Sequence, residues 1–125
     1  MRTVIAVGVA GFAGAIARYG VDGLVSARTS GSFPWGTFVV NISGSFVLGL
    51  LFALLVEGSS LMTPWLRTAL MVGLIGAYTT FSTLTLETLR LIEDGAFLGA
   101  GLNALGSLAV GLIAVYLGVV VGRMA

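Results

Sequence analysis

Apolar residues fill four long stretches of this chain, and polar residues gather in the short intervals between them. The stretches cover about residues 4–25, 36–56, 68–86 and 96–122. Each approaches the roughly 20 residues that a helix needs to cross about 30 Å of hydrocarbon. The pattern predicts an all-α membrane protein, one domain over residues 1–125 with four transmembrane helices. The intervals carry breakers: Ser30-Gly31-Ser32 and Pro34 in the first, Gly58-Ser59-Ser60 and Pro64 in the second, Glu93-Asp94-Gly95 in the third. Met1-Arg2 and the apolar run to Ala15, with small residues at Ala13-Gly14-Ala15, has the look of a signal peptide. The run continues past Arg18 to Val25, however, so it is taken as a full span.

The third stretch breaks the pattern. Gly76-Ala77-Tyr78-Thr79-Thr80-Phe81-Ser82-Thr83 places five hydroxyls in six positions, between Leu70 and Leu86. Hydroxyls can bond back to carbonyls one turn earlier and merely bend a helix. Five of them beside a glycine exceed what a bend needs, so the third helix is predicted to break mid-membrane. Non-helical backbone at that depth survives only where protein buries it or where it lines a cavity. Broken helices of this kind commonly form ion or solute sites, and their freed carbonyls become cation ligands.

Composition narrows the chemistry. The chain has 58% hydrophobic and 9% charged residues, and a mean hydropathy of +1.10. A soluble domain would carry roughly 25% charged residues. Cysteine and histidine are absent, which excludes disulfides, thiolate chemistry and the commonest metal ligand. All six basic residues are arginines, and a net charge of +1 implies no nucleic-acid partner. No acidic residue lies in the middle of a span, where a proton-coupled transporter is expected to hold one. No pair of catalytic groups falls at one depth, so an enzyme is not expected.

Four spans put both termini on one side. Arg2, Arg67 and Arg123 lie there, against Arg28 and Arg90 opposite, with Arg18 inside a span near that end. This bias is too small to fix one orientation. Two topologies stand on the arginines alone: termini inside, or copies inserted both ways. Four helices pack around their own side chains and leave little room for a pathway. That favours at least two copies, and an antiparallel pair mimics the inverted repeats of many transporters.

Individual polar positions have two readings each. Thr37, Asn41, Ser45 and Leu48 form one helical stripe beside Gly44. Asn41 serves either as interhelical glue or as a pathway donor. Gly99, Asn103, Ser107 and Gly111 form a second stripe, whose small residues usually mean close packing. Arg18 and Asp22 are one turn apart and can pair. Arg18 is either an interfacial anchor or a positive charge in an aqueous vestibule that attracts anions. The hydroxyls of the third span, Ser82 and Thr83 among them, and the positive ring edge of Phe81 are candidate anion contacts. Glu87 ends that span. Hydroxyls, amides and an aromatic edge without a buried acid suit passive passage of a small anion.

Three segments together resemble the CrcB, or Fluc, fluoride channels along the whole chain. They are Gly14-Ala15-Ile16-Ala17-Arg18-Tyr19, Gly36-Thr37-Phe38-Val39-Val40-Asn41 with Gly44-Ser45, and Gly76 to Thr83 running on to Glu87. The resemblance implies an antiparallel, dual-topology dimer in a bacterial or archaeal plasma membrane. It implies two pores that export fluoride passively and protect the cell from its toxicity. It also implies a sodium ion at the dimer centre, held by the backbone carbonyls of Gly76 and Thr79. Asn41, Phe81 and, more loosely, Ser107 align with pore residues, and Arg18 with a vestibule arginine. One departure stands out. The family often has Phe-Ser-Thr-Phe where this chain has Phe81-Ser82-Thr83-Leu84. A heterodimer whose partner supplies the missing ring is then as open as a homodimer.

Fluoride suits these residues on chemical grounds. It is small and strongly hydrated, so a pore must replace its water with several donors. Uncharged donors bind it weakly enough to let it leave. Two other functions fit four spans: a small dual-topology multidrug exporter, and an assembly subunit that transports nothing. The first resembles pumps with an essential carboxylate in the middle of span one, and the region from Val7 to Ala17 has none.

Overall fold

The computed structural model describes residues 1–58 and 62–125. Ser59 and Ser60 of the second interval lie outside the described residues. The described residues form five helical pieces that make four spans: α1 (Arg2–Ser26), α2 (Trp35–Glu57), α3 (residues 64–78), α4 (Phe81–Glu93) and α5 (Phe97–Met124). Among the described residues there is no strand. All four spans are long and apolar enough to cross a membrane, with α3 and α4 together forming the third.

That third span is broken, as its hydroxyl-rich stretch predicts. Thr79 (φ −81°, ψ 159°) and Thr80 (φ −150°, ψ 117°) are extended, and helix resumes at Phe81. Wide π-type turns occupy Ala53–Glu57, Ala69–Ile75 and Leu102–Gly106. Such turns often sit near functional positions, and the last directly precedes Ser107. Between α4 and α5 the chain reverses at Gly95 (φ 75°). Gly95 N–H donates to the Ile92 carbonyl and Ala96 N–H to the Leu91 carbonyl, the paired bonds of a Schellman cap.

Packing relies on missing side chains. Lipid tails are as apolar as leucine, so helices associate through close contact rather than hydrophobic burial. The α2–α5 contact is the most extensive. There a Cβ on Gly49 would overlap the Val115 carbonyl, and one on Gly118 would overlap the Phe46 carbonyl. In the α1–α3 contact, Gly14 lies against the Leu74 carbonyl in the same way. Each end of the bundle carries anchors. Phe33, Trp35 and Phe38 form an aromatic cluster at the start of α2. At the opposite end Arg123 forms a forked pair with Glu57, both bonds 2.8 Å long, and Arg2 lies over the Trp65 ring.

Candidate functional site beside the broken helix

The break is held from α2. Asn41 Oδ1 accepts the Thr80 N–H at 2.8 Å, and Asn41 Nδ2 donates to the Thr80 carbonyl at 3.0 Å. One carboxamide thus pairs with both backbone groups of one extended residue, as a neighbouring strand would. Gly44, one turn further along α2, leaves the space that Thr79 Cγ2 and the Tyr78 ring occupy. The Tyr78 hydroxyl lies 2.9 Å from Ser43 Oγ. The new helix start is capped by Thr80, whose Oγ1 accepts the Thr83 N–H at 3.2 Å and donates to Thr83 Oγ1 at 3.0 Å.

A cavity of about 730 Å³ opens beside the break. It brings together Asn41, Ser45, Thr80, Phe81, Leu84 and Ser107, from α2, α4, α5 and the break itself. No charged side chain lines it. Most of its wall is apolar, so the few polar groups stand out against it. Asn41 Nδ2 carries two N–H groups, and its one hydrogen bond, to the Thr80 carbonyl, leaves the second available.

Ser107 differs from the other membrane hydroxyls. Ser43, Ser45, Thr79 and Thr88 each donate to a carbonyl one turn earlier. Ser107 is buried, and its Oγ has no hydrogen-bond partner among the described residues. Ser107 also lines the cavity, with that hydroxyl uncommitted.

Other sequence candidates sit elsewhere. Thr37 is buried off the cavity wall and donates to Glu87 Oε1 at 2.8 Å. Ser82 is exposed, with Oγ 3.4 Å from Thr80 Oγ1, and Thr83 is engaged by the Thr80 cap. Neither lines the cavity. Arg18 is half-buried, and the pair with Asp22 that helical spacing allows is not formed. Asp22 instead accepts a hydrogen bond from Ser26 at 3.3 Å and lies against Gly36 in the first turn of α2. The positive end of that helix attracts the carboxylate away from Arg18.

Sequence reasoning passed over Thr80 as a structural residue. Its signal was available: a threonine just before a helical run is a common N-cap. It also passed over Asn103 as a linker. Asn103 is fully buried and donates to Thr88 Oγ1 at 3.0 Å, joining α5 to α4. The sequence places the turn at Glu93-Asp94-Gly95, but not which side chains of α4 and α5 face each other across it.

Four apolar spans, one of them broken beside a cavity lined by no charged side chain, define a multi-pass helical membrane protein of the broken-helix type. Within that class the assignment is narrower. The chain belongs to the CrcB-like family: the model described as CrcB-like protein, Camphor Resistance (CrcB), matches residues 5–119. Three similar relatives each carry the name fluoride-specific ion channel FluC. The one from Geobacter sulfurreducens is 42% identical over 123 residues, covering 98% of both chains. The one from Nitratidesulfovibrio vulgaris is 44% identical over 124 residues, 99% of both. The one from Magnetococcus marinus is 47% identical over 119 residues, 94% of this chain and 95% of its own.

Proposed function

We propose that this chain is a passive, fluoride-selective channel that works as an antiparallel dimer. The observation that carries the proposal is the cavity beside the break. Its polar wall offers uncharged donors only: the second N–H of Asn41, the free hydroxyl of Ser107 and the ring edge of Phe81. A desiccated fluoride ion needs such donors in place of water. With no fixed cation in the wall, it is bound weakly enough to move on. With no carboxylate there, proton-coupled export lacks its carrier group. The names of the relatives point the same way.

The exposed side of the break supports a second copy. Phe81 is 78% exposed on the single chain, and Gly76 and Ser82 are exposed beside it. In a continuous helix the Gly76 carbonyl would take the Thr80 N–H, and the Thr79 carbonyl the Thr83 N–H. Both amides are engaged by side chains instead. A carbonyl deprived of its donor cannot stably face lipid. A partner, a cation, or both must cover these groups. Gly76 and Thr79 carbonyls are oxygen ligands of the kind a hard cation takes, so they fit a structural sodium ion between two copies. When bound, such an ion supplies a fixed positive charge that ties the two breaks together.

Export follows from the concentration gradient. Fluoride leaves a cell that has accumulated it, and no second substrate is consumed. The test is efflux from liposomes containing the purified protein. Fluoride should leave far faster than chloride, and a lipophilic cation should not be carried. Equal fluoride and chloride rates would overturn selectivity, and cation transport would favour an exporter. Absence of any flux would leave the assembly-subunit reading in its place.

A further inference from the structure

Two side chains take the amides that a continuous helix would give to the Gly76 and Thr79 carbonyls. We infer that Asn41 and Thr80 are positioning residues that hold the break open and release the Gly76 and Thr79 carbonyls; this rests on the sodium reading above. A backbone N–H in a helix serves the carbonyl four residues earlier. The Thr80 N–H lies 2.8 Å from Asn41 Oδ1, so it is lost to Gly76. The Thr83 N–H lies 3.2 Å from Thr80 Oγ1, so it is lost to Thr79. Each side-chain oxygen replaces one carbonyl oxygen and sets that carbonyl free.

The α2 face is shaped for this exchange. Asn41 contributes both hydrogen-bonding edges of its amide. Gly44 has no side chain, and any Cβ there would strike Thr79 and Tyr78. Tyr78 and Ser43 meet on the same side. The consequence is a coupling that neither group has alone. Asn41 lines the cavity and also takes the Thr80 amide that a continuous helix would give to the Gly76 carbonyl. One substitution at Asn41 should therefore weaken sodium as well as impair fluoride passage. An Asn41 that served only as an anion contact would affect fluoride alone.

Without Asn41 Oδ1 or Thr80 Oγ1, the orphaned amide returns to its helical carbonyl. That carbonyl must then break a hydrogen bond to face an ion. The loss corresponds to weakening sodium by about three- to tenfold per carbonyl.

The test uses the purified full-length protein, sodium as the probe, and a bulky organic cation as its control. Sodium dependence of the thermal unfolding midpoint gives the half-saturating concentration. A second readout is nuclear magnetic resonance of threonine labelled at carbonyl and amide. Thr79-Thr80 is the only Thr-Thr pair in the chain, so it gives a single correlation. In the wild type, sodium should move the Thr79 carbonyl signal. In Asn41→Leu, the Thr80 amide signal should shift without sodium, and half-saturation should rise about three- to tenfold. Thr80→Val, nearly isosteric, should raise half-saturation similarly, whereas Thr80→Ser should stay near wild type. This second pair decides the matter should Asn41→Leu fail to fold. Unchanged sodium dependence in Asn41→Leu and Thr80→Val would overturn the inference. A wild type that ignores sodium would overturn the cation site itself. The Thr80 amide in Asn41→Leu would then still report whether Asn41 holds the break.

Discussion

Ser107→Ala should make the protein more stable and a worse channel. The Ser107 hydroxyl is buried and has no partner among the described residues. An unsatisfied buried hydroxyl costs about 1–3 kcal/mol of stability. Removing one oxygen leaves a void of roughly 10 Å³, worth only about 0.2 kcal/mol at the measured cost of cavities. The net expectation is a gain of about 1–3 kcal/mol per chain. Ser107 lines the same cavity as Asn41 and Phe81. A hydrogen bond to a charged species contributes about 1.5–3 kcal/mol. Losing it where the anion is least hydrated should slow flux about 10- to 150-fold. Opposite signs in two assays make the reasoning sharp. Denaturant or thermal unfolding in detergent reads the first, and a fluoride electrode on loaded liposomes reads the second. A variant less stable by more than about 1 kcal/mol with unchanged flux would refute it, since the hydroxyl would then have a partner on a second chain. Ser107→Thr, which keeps the hydroxyl, should retain more flux than Ser107→Ala.

Three further outcomes are expected. Phe81→Ile should abolish most fluoride flux while the protein stays folded, because it removes the ring edge and keeps apolar bulk; Leu84→Phe, on the same cavity wall, should preserve or raise flux, and blockage would show that the added ring overfills the bore. Single cysteines placed at the two termini should be labelled from both membrane faces and form no terminus-to-terminus cross-link between copies, and exclusive pairing of like ends on one membrane face would rule out the antiparallel arrangement. Gly49→Ala should destabilise the fold by about 1–3 kcal/mol in thermal unfolding, since the new Cβ overlaps the Val115 carbonyl on α5.

The architecture was legible because it is written in composition and spacing. Four apolar stretches and a hydroxyl-rich interruption need no tertiary information to be recognised. The fate of individual hydroxyls was not legible, because it depends on which neighbour lies within reach. Ser45 and Ser107 look equivalent in sequence, each in a small-residue stripe. Yet Ser45 bonds back to the Asn41 carbonyl at 2.8 Å and Ser107 bonds to nothing among the described residues. Arg18 and Asp22 have ideal spacing, but that spacing is silent about Gly36, which draws Asp22 toward α2. In sequence Asn41 reads equally as glue and as pathway, and its contacts carry both readings. Its two hydrogen bonds to Thr80 are glue, and the residue also lines the cavity.

This double use of Asn41 follows from where the chain is broken. A helix interrupted in lipid strands donors and acceptors together, and both must be met locally. A leucine at position 41 could meet neither. A serine offers one short arm, too short to reach both backbone groups of Thr80 at once. A carboxamide is the smallest uncharged side chain that presents a donor and an acceptor edge together and keeps one N–H in reserve. A carboxylate would accept the Thr80 N–H but give the Thr80 carbonyl nothing, and its charge would repel an anion from the cavity. The side chain that closes the hydrogen bonds of the break is therefore also one that an uncharged anion pathway can tolerate. The donors left over after the backbone is satisfied, the second N–H of Asn41 and the hydroxyl of Ser107, are the ones available to carry an ion past it.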